Sequence, residues 1–404
     1  MILMLSWKNV WRSKRRSIII AAAIALGMWG GLFAAGVMQG MAETMVNSSI
    51  ERQLTHLQIH LPGYREERSI EKMIPNADSV AAFARRLPGV YEATERTIVD
   101  GMVSSSVTSQ GVSIIGVAPD AEAAATSLKK EIVQGTYFDP AKAGTILIGK
   151  KLAEKLEVKL RSKIVLTFQS PEGSIMYAAF RVAGVFETTA SQYDAGTVYV
   201  SRADIFPLLG KPIVHEIGVR LVSEERTEAT VDTLQKVFPS LEVKGWRDLA
   251  PELKITAEST AISMNIFLGI ILLALLFGIT NTMLMSVMDR IREFGMLMAV
   301  GMKRRQIFVL VMTETVLLSL TGGIAGLFVA AGTITYLHRT GIDLTMFSDG
   351  LSYYGISSML YPTVPMTTYP LVTAMIFLTA LVAAVYPAVK ITQLHPVTAM
   401  RTYL

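Results

Sequence analysis

Four long runs without a charged residue constrain the fold of this chain more than any other feature. They cover residues 17–42, 261–288, 315–337 and 370–389, and apolar residues 307–312 precede the third run. About 20 apolar residues span the hydrocarbon core of a bilayer, and buried helices of soluble proteins rarely sustain such runs. The sequence therefore predicts transmembrane helices at 17–42, 261–288, 306–337 and 370–389.

Composition supports this prediction. Hydrophobic residues make up 51% of the 404-residue chain and charged residues only 18%, whereas soluble proteins carry about 25% charge. The first run exceeds the apolar stretch of about 7–15 residues in a secretory signal, so it is expected to remain as an anchor. The basic residues lie beside the apolar runs rather than on an aromatic-rich polar face, which argues against nucleic acid as a partner.

The charges that flank the runs predict the orientation. Segment 1–16 carries five basic residues and no acid, link 289–305 carries five against two acids, and tail 390–404 carries two and no acid. Link 338–369 has one arginine against two acids. Because cytoplasmic loops are enriched in Lys and Arg, we expect an amphipathic cytoplasmic N-terminal segment at 1–16, a cytoplasmic link at 289–305 and a cytoplasmic tail.

The remaining segments, 43–260 and 338–369, should then lie on the outer side. Segment 43–260 mixes β-rich and helical patterns, punctuated by Pro and Gly, which predicts an α+β domain inserted between helices 1 and 2. Its helical patterns include 79–87, with Asp78 as the N-cap. Run 261–288 would be about 42 Å long as a helix, so the second span is expected to project as a stalk.

Enzyme signatures in this domain fail on inspection. Segment 144–150 resembles a phosphate-binding loop, but Lys151 stands where the loop needs Ser or Thr. His56 and His60 lie on one predicted strand, roughly 13 Å apart, so they are interpreted as solvent-facing or edge residues rather than metal ligands. The chain has no cysteine. No catalytic residue, metal ligand or cofactor of its own is predicted, and the domain is interpreted as a binding or structural module.

Link 289–305 has apolar residues near helical spacing. One interpretation is an amphipathic helix that lies flat on the membrane. The other is a helix that docks into a groove of a soluble partner, with its apolar residues as anchors. The pattern alone leaves both open.

Motifs in this link and near the C-terminus carry a family resemblance. One motif lies in the link and consists of Arg290, Arg292, Glu293, Phe294, Gly295, Leu297, Ala299, Val300 and Gly301. Further motifs are Glu314, Gly322, Gly323, Gly326, 386–388 and 395–401. In these residues the chain resembles the ABC transporter permeases of the group that includes FtsX, MacB, LolC and LolE.

The resemblance implies a multi-pass permease of the bacterial inner membrane that works as a homodimer or heterodimer with a dimer of cytoplasmic ABC ATPases. ATP and magnesium would bind to the ATPases, and this chain would not be an enzyme. The link would be the ATPase-coupling helix, and the resemblance assigns that role to Arg290, Arg292, Glu293, Phe294, Gly295, Leu297, Met298, Ala299, Gly301 and Met302.

Within the group, segment 57–64 is most similar to LolE, which implies extraction of lipoproteins from the outer leaflet. A lipoprotein chaperone or an adaptor would be a further periplasmic partner, although segment 169–177 is short for the hook that holds such a chaperone. The alternatives are a MacB-like exporter of peptides or drugs, and a non-transport protein that signals to a periplasmic partner.

Several residues inside the spans have two interpretations. Glu314 is an intramembrane acid that could mark a proton or substrate path, but a headgroup-level glutamate that pairs with Arg304 or Arg305, or is capped by a neighbouring helix, is favoured. Gly27, Gly31 and Gly36 allow close helix packing, either within the chain or at a subunit seam. Interfacial anchors are expected on the outer link, at Tyr353, Tyr354, Tyr361 and Tyr369.

Overall fold

The computed structural model describes residues 4, 6–7, 12, 14–353 and 357–393. The chain divides into two compact units. The membrane unit comprises Met1–Ala42, Glu258–Asp343 and Met359–Leu404, and the outer unit comprises Glu43–Ala257 and Leu344–Ser358. The outer unit therefore includes part of link 338–369, which the sequence predicted as a separate loop. Four predictions lie wholly or mostly outside the described residues, namely segment 1–16, tail 390–404, motif 395–401 and Tyr354.

The helices of the two units alternate with strands along the chain. In chain order the helices are α1 (Lys14–Ser49), α2 (Ala77–Arg86), α3 (Pro119–Ala125), α4 (Lys150–Leu156), α5 (Ser191–Gly196), α6 (Arg202–Leu209), α7 (Thr227–Val237), α8 (Trp246–Leu249), α9 (Pro251–Asp289), α10 (Ile291–Ala299), α11 (Arg304–Thr340), α12 (Ser348–Tyr353) and α13 (Thr368–Thr392). The strands are β1 (Leu57–His60), β2 (Val90–Ser104), β3 (Ser109–Val117), β4 (Ile132–Gly135), β5 (Thr145–Gly149), β6 (Lys163–Gln169), β7 (Ile175–Phe186), β8 (Thr197–Ser201), β9 (Glu216–Leu221), β10 (Glu242–Gly245), β11 (Ile342–Asp343) and β12 (Met359–Leu360).

Four helices, α1, α9, α11 and α13, are long and apolar enough to cross a membrane. The predicted fold class, four such helices with an α+β domain inserted after the first, is confirmed. The helices extend past the uncharged runs. For example, α9 begins at Pro251 rather than near residue 261. Proline suits the first helical position, where its missing N–H group is not needed. Where the chain enters the domain, α1 is followed directly by a π-helical turn, Ile50–Leu54.

Close contact between α1 and α11 organises the core of the membrane unit. A Cβ atom on Gly322 would lie 2.5 Å from the carbonyl oxygen of Ala21, and one on Gly326 would lie 2.6 Å from that of Ala25. The two helices approach this closely because both glycines lack a side chain. Apolar side chains of α1, α9, α10, α11 and α13 fill the surrounding core.

The other predicted packing glycines also face neighbours within the membrane unit. A Cβ on Gly31 would lie 3.5 Å from Leu268, one on Gly36 would lie 2.9 Å from Val364, and Gly27 faces Leu275. Gly323 faces Met28 of α1 more loosely, at 3.8 Å. These contacts correspond to the intrachain alternative for the glycines of the first span.

The outer unit is built on one highly bent sheet. Strands β2, β3, β8, β5, β7 and β6 pair in that order, and β6 pairs back with β2 to close a ring. The remaining path runs β10-β1-β9-β2, so the 15-residue strand β2 belongs to both parts. One apolar core lies among the ring strands, and a second lies where α2 and α7 cover the β10-β1-β9-β2 part.

Two local predictions for the outer unit are wrong. The N-cap of α2 is Asn76, in a left-handed conformation, and not Asp78. Asp78 lies exposed in the first turn, where its negative charge interacts favourably with the positive end of the helix dipole. His60 is 1% exposed and is neither solvent-facing nor at an edge. Strand β1 pairs with β10 on one side and β9 on the other, so it is a central strand, and all four of its residues are buried.

Candidate functional site

Helix α10 is a short, well-terminated helix between the long helices α9 and α11. At its end the N–H of Met302 donates to the carbonyl of Leu297 (2.9 Å), and the N–H of Gly301 donates to that of Met298 (3.1 Å). This is the Schellman arrangement, which needs a left-handed residue at the position that Gly301 occupies with φ +101°. The Gly301 of the sequence motif therefore ends the helix.

One face of α10 belongs to the core of the membrane unit. Phe294 is 1% exposed, Gly295 is buried, and the half-buried Leu297, Met298 and Met302 pack against the same core. The role of Phe294 in the coupling helix, which the resemblance implies, stays a prediction, but its ring is not exposed for the groove of a partner. A ring on an amphipathic helix can be covered by either side, and here the chain's own helices cover it.

A charged cluster joins α10 to α11 and to the N-terminal segment. The Arg290 guanidinium donates to Glu293 (3.0 Å) and to both carboxylate oxygens of Glu314 (3.1 Å), and it lies over the Phe294 ring at 5.2 Å. Arg12 also pairs with Glu293. Glu314 is thus paired, but not with Arg304 or Arg305 as favoured from the sequence. Those arginines are exposed at the start of α11, whereas Arg290 is half-buried beside Glu314.

The other face of α10 is exposed and partly apolar. Arg292, Met296, Ala299 and Val300 face outward, with Met296 55% and Val300 89% exposed. Positions 292, 296 and 300 repeat at i, i+4 and i+8, which places them on one side of a helix. From the sequence, Val300 was named in the motif but not among the coupling residues, and Met296 was not named. Their signal was the same helical period that identified the apolar residues of the link.

Metal chemistry finds no support in the described part of the chain, where no three His, Asp or Glu side chains come together as a metal site. The site therefore consists of a helix held by a buried ring and a salt-bridge cluster, with a mixed basic and apolar face turned outward. Such a face can bind another protein or a lipid surface.

Comparison with known proteins identifies the family of this chain. A family model described as "MacB-like periplasmic core domain" matches residues 17–237, and one described as "FtsX-like permease C-terminal" matches residues 265–396. The chain belongs to the MacB/FtsX group of ABC transporter permeases. Both matches agree with the architecture of this permease, since the first covers α1 and most of the outer unit and the second covers α10, α11 and α13.

Relatives match almost the whole of this permease. The macrolide export ATP-binding/permease protein MacB of Bdellovibrio bacteriovorus is 22% identical over 93% of this chain, and the chain spans 59% of that relative. The uncharacterized ABC transporter permease YvrN of Bacillus subtilis is 24% identical, over 98% of both chains. The crystal structure of the periplasmic region of MacB from Actinobacillus actinomycetemcomitans aligns with 51% of this chain and 98% of its own, with 14% identity and a TM-score of 0.36.

Proposed function

We propose that this permease couples ATP hydrolysis by a separate cytoplasmic ABC ATPase to movement of its outer unit. ATP and magnesium bind to the ATPase, and the exposed face of α10 docks on it. Two copies of the permease, or this permease and a related subunit, assemble with two ATPases. Cargo is handled outside the membrane or in its outer leaflet.

The exposure of Met296 and Val300 carries this proposal. Helices that dock into grooves of a partner present apolar anchors one or two turns apart. Met296 and Val300 have that spacing, and Arg292 lies one turn before them on the same face. Because Phe294 and the Arg290 cluster fix α10 to the membrane unit, a push on this face would reach α9 and α11 directly.

Charge substitutions on this face test the proposal. Met296→Asp and Val300→Asp should abolish co-purification of a co-expressed ABC ATPase while leaving the midpoint of thermal unfolding unchanged. Val222→Asp is the matched control, because Val222 is 74% exposed in the outer unit. If both variants bound the ATPase as well as the wild type, α10 would instead be the helix that lies flat on the membrane.

For the cargo we propose lipoproteins, extracted from the outer leaflet of the inner membrane and passed to a periplasmic chaperone. The similarity of segment 57–64 to LolE supports this choice. Segment 169–177, which is short for a chaperone hook, is a β-hairpin tip in which Ile175 and Tyr177 are 63% and 68% exposed. Depletion of this permease should leave outer-membrane lipoproteins in the inner membrane, as measured by fractionation and immunoblotting. Normal sorting would exclude this cargo.

A MacB-like exporter is the second candidate, supported by the match of the outer unit to the MacB-like periplasmic core domain. In this case the cargo is a small amphiphilic compound or peptide and the periplasmic partner is an adaptor. Crosslinking in intact cells, followed by mass spectrometry, should recover an adaptor and an outer-membrane channel. Increased sensitivity of a deletion strain to macrolides, with unchanged lipoprotein sorting, would favour this candidate.

We further propose that the permease lies in the inner membrane with both termini in the cytoplasm and the outer unit in the periplasm. The basic segments 1–16, 289–305 and 390–404 support this orientation. Because the chain has no cysteine, Lys151→Cys and Lys303→Cys introduce single labelling sites. An impermeant maleimide should label the first in intact spheroplasts and the second only after permeabilisation.

A further inference from the structure

The outer unit contains a polar cavity of about 600 Å³ that the coupling mechanism does not use. Its walls come from the end of α1 and the following π-helical turn, from β1, from residues 64–68 and from residues 249–253. The charged or titratable groups that line it are Arg52, His60, Tyr64, Arg65, Arg68, Tyr193, Glu216 and Glu252.

Three residues of this wall carry buried polar atoms without a hydrogen-bond partner. In the described part of the chain, six such side-chain atoms occur, and three of them are Arg52 Nε, His60 Nδ1 and Tyr64 Oη. A buried polar group without a partner costs about 1–3 kcal/mol, so native proteins rarely leave one unsatisfied. All three belong to residues that line this one cavity, where a bound ligand can satisfy them.

The surrounding structure holds these groups in place. The Tyr64 ring stacks between His60 and His215, with centroids 5.5 and 5.3 Å away. His60 Nε2 lies 3.2 Å from Glu216, whose other carboxylate oxygen accepts from Arg96 at 2.6 Å. With Nε2 donating to that carboxylate, Nδ1 of His60 is the atom left for the cavity. The site is thus preorganised by a stack and a buried ion pair.

Charge around the cavity is predominantly positive. Burial alone would raise the pKa of Glu216, but the hydrogen bond from His60 and the charge of Arg96 lower this pKa to about 2. Its negative charge is therefore compensated within the protein. Three guanidinium groups, on Arg52, Arg65 and Arg68, then face the single exposed acid Glu252.

The available donors suit an oxyanion. Arg52 already uses both Nη atoms, toward Thr189 and Ser49, but its Nε–H is free for the cavity. Burial raises the pKa of Tyr64, so its hydroxyl stays protonated and can donate. Arg65 bonds to the Leu249 carbonyl and Gln58. Arginine binds phosphate oxygens through several parallel N–H groups, which makes it the usual residue at such sites.

We propose that this cavity binds a phosphate group, held by Arg52 Nε, the Tyr64 hydroxyl and the guanidinium groups of Arg65 and Arg68. The phosphate belongs either to a phospholipid head group or to free inorganic phosphate. This site is independent of the cargo and of the ATPase. Its lining also includes residues of segments 45–54 and 249–253, at the end of α1 and the start of α9.

Binding of inorganic phosphate to the purified full chain in a neutral detergent tests the site. Isothermal titration calorimetry should show one saturable site per chain. Arg65→Gln and Arg68→Gln change exposed residues, so both variants should fold and each should weaken binding about tenfold, the effect of losing one charge-assisted hydrogen bond. Arg86→Gln removes an exposed arginine of α2 that does not line the cavity, and it should bind phosphate as the wild type does.

Tyr64→Phe separates ligand binding from a structural role. The hydroxyl has no partner among the described residues, so its removal should leave the unfolding midpoint without phosphate unchanged or higher. The rise in that midpoint on adding phosphate should disappear. If the variant kept the full phosphate-dependent rise, the hydroxyl would not contact the ligand and the proposed site would be wrong.

Reconstitution distinguishes the two sources of phosphate. In nanodiscs of phosphatidylglycerol, the Arg65→Gln variant should retain less co-purified lipid than the Arg86→Gln control if a head group occupies the cavity. If free phosphate is the ligand, lipid retention should be equal and calorimetric binding should persist in phosphatidylcholine nanodiscs. Absence of saturable binding in detergent together with equal lipid retention would overturn the proposal.

Discussion

Phe294 shows how one residue can belong to a functional motif and yet serve the fold. It lies in the motif of the proposed coupling helix, but its ring is 1% exposed and packs inside the membrane unit under the Arg290 guanidinium. The same short helix thus holds a buried residue, Phe294, and an exposed one, Met296. Substitutions at these two positions should therefore differ in their effect on stability.

Phe294→Ala should destabilise the permease, whereas Met296→Ala should not. Truncating a buried aromatic residue removes packing and leaves a cavity, which costs about 3 kcal/mol or more. A change at an exposed site usually stays within about 0.5 kcal/mol. The unfolding midpoint in detergent should therefore fall clearly for the first variant only. Equal midpoints for the two variants would contradict the inward position of Phe294.

Asp194 should make the stability of the outer unit depend on pH. Burial raises its pKa from 3.8 to about 6, although Thr188 donates two hydrogen bonds to it. Between these values the folded state holds a proton that the unfolded state releases, so the contribution of Asp194 to stability falls as pH rises from about 4 to 6. The total loss is at most about 3 kcal/mol.

Asp194→Asn should remove this dependence. Denaturant unfolding of the full chain, followed between pH 4 and pH 7, should give a flatter profile for the variant than for the wild type. Asp78→Asn is a suitable control, because Asp78 is an exposed carboxylate in the same unit. Profiles of identical slope for Asp194→Asn and the wild type would show that Asp194 is ionised throughout this range.

Among the elements, the contact between α1 and α11 depends on glycine at two successive turns. Helix propensity alone favours alanine over glycine by about 1 kcal/mol. At Gly326, however, a Cβ would lie 2.6 Å from the Ala25 carbonyl oxygen, whereas at Gly332 no atom lies within 4 Å of it. The same substitution should therefore change stability in opposite directions at two positions of one helix.

Gly326→Ala should lower the unfolding midpoint in detergent, because α1 and α11 must separate to admit the methyl group. Gly332→Ala should leave the midpoint unchanged or raise it slightly. Differential scanning fluorimetry of both variants would compare them directly. A stabilising effect at Gly326 would mean that the two helices pack less closely than the structure shows.

For the whole molecule, α9 is the long helix with the least cover from its own chain. Its exposed residues Ile262, Ile266, Ile270, Leu273 and Phe277 repeat at helical spacing and are 56–65% exposed. Apolar residues can simply face lipid, so exposure alone does not indicate a partner. The permease dimer proposed above, however, needs an intramembrane surface, and this stripe is a continuous one.

Crosslinking of single cysteines tests this surface. Ile270→Cys should form dimers with a short bifunctional maleimide in native membranes if α9 lies at the subunit seam. Phe328→Cys, on α11 and also exposed (74%), should not. The natural chain has no cysteine, so each variant reports one position. Efficient crosslinking at Phe328 alone would place the seam on α11.

Residue patterns alone were enough to predict the four spans and the α+β character of the outer unit. A long uncharged, apolar run is rarely found outside a transmembrane helix, and a helix satisfies all of its backbone hydrogen bonds within the bilayer. Local patterns also located most strands and the link helix. They did not determine which side of α10 is covered, since an amphipathic pattern defines a face but not its partner.

The remaining features each depend on contacts between residues that lie far apart in the chain. Arg290 pairs with Glu314 across the turn from α9 to α11. His60 is buried because β1 inserts between β9 and β10, which lie more than 150 residues later in the chain. The Arg52, His60 and Tyr64 cavity exists only after this insertion. Strand order follows from global packing, which no local pattern encodes, so the phosphate site was invisible in the sequence.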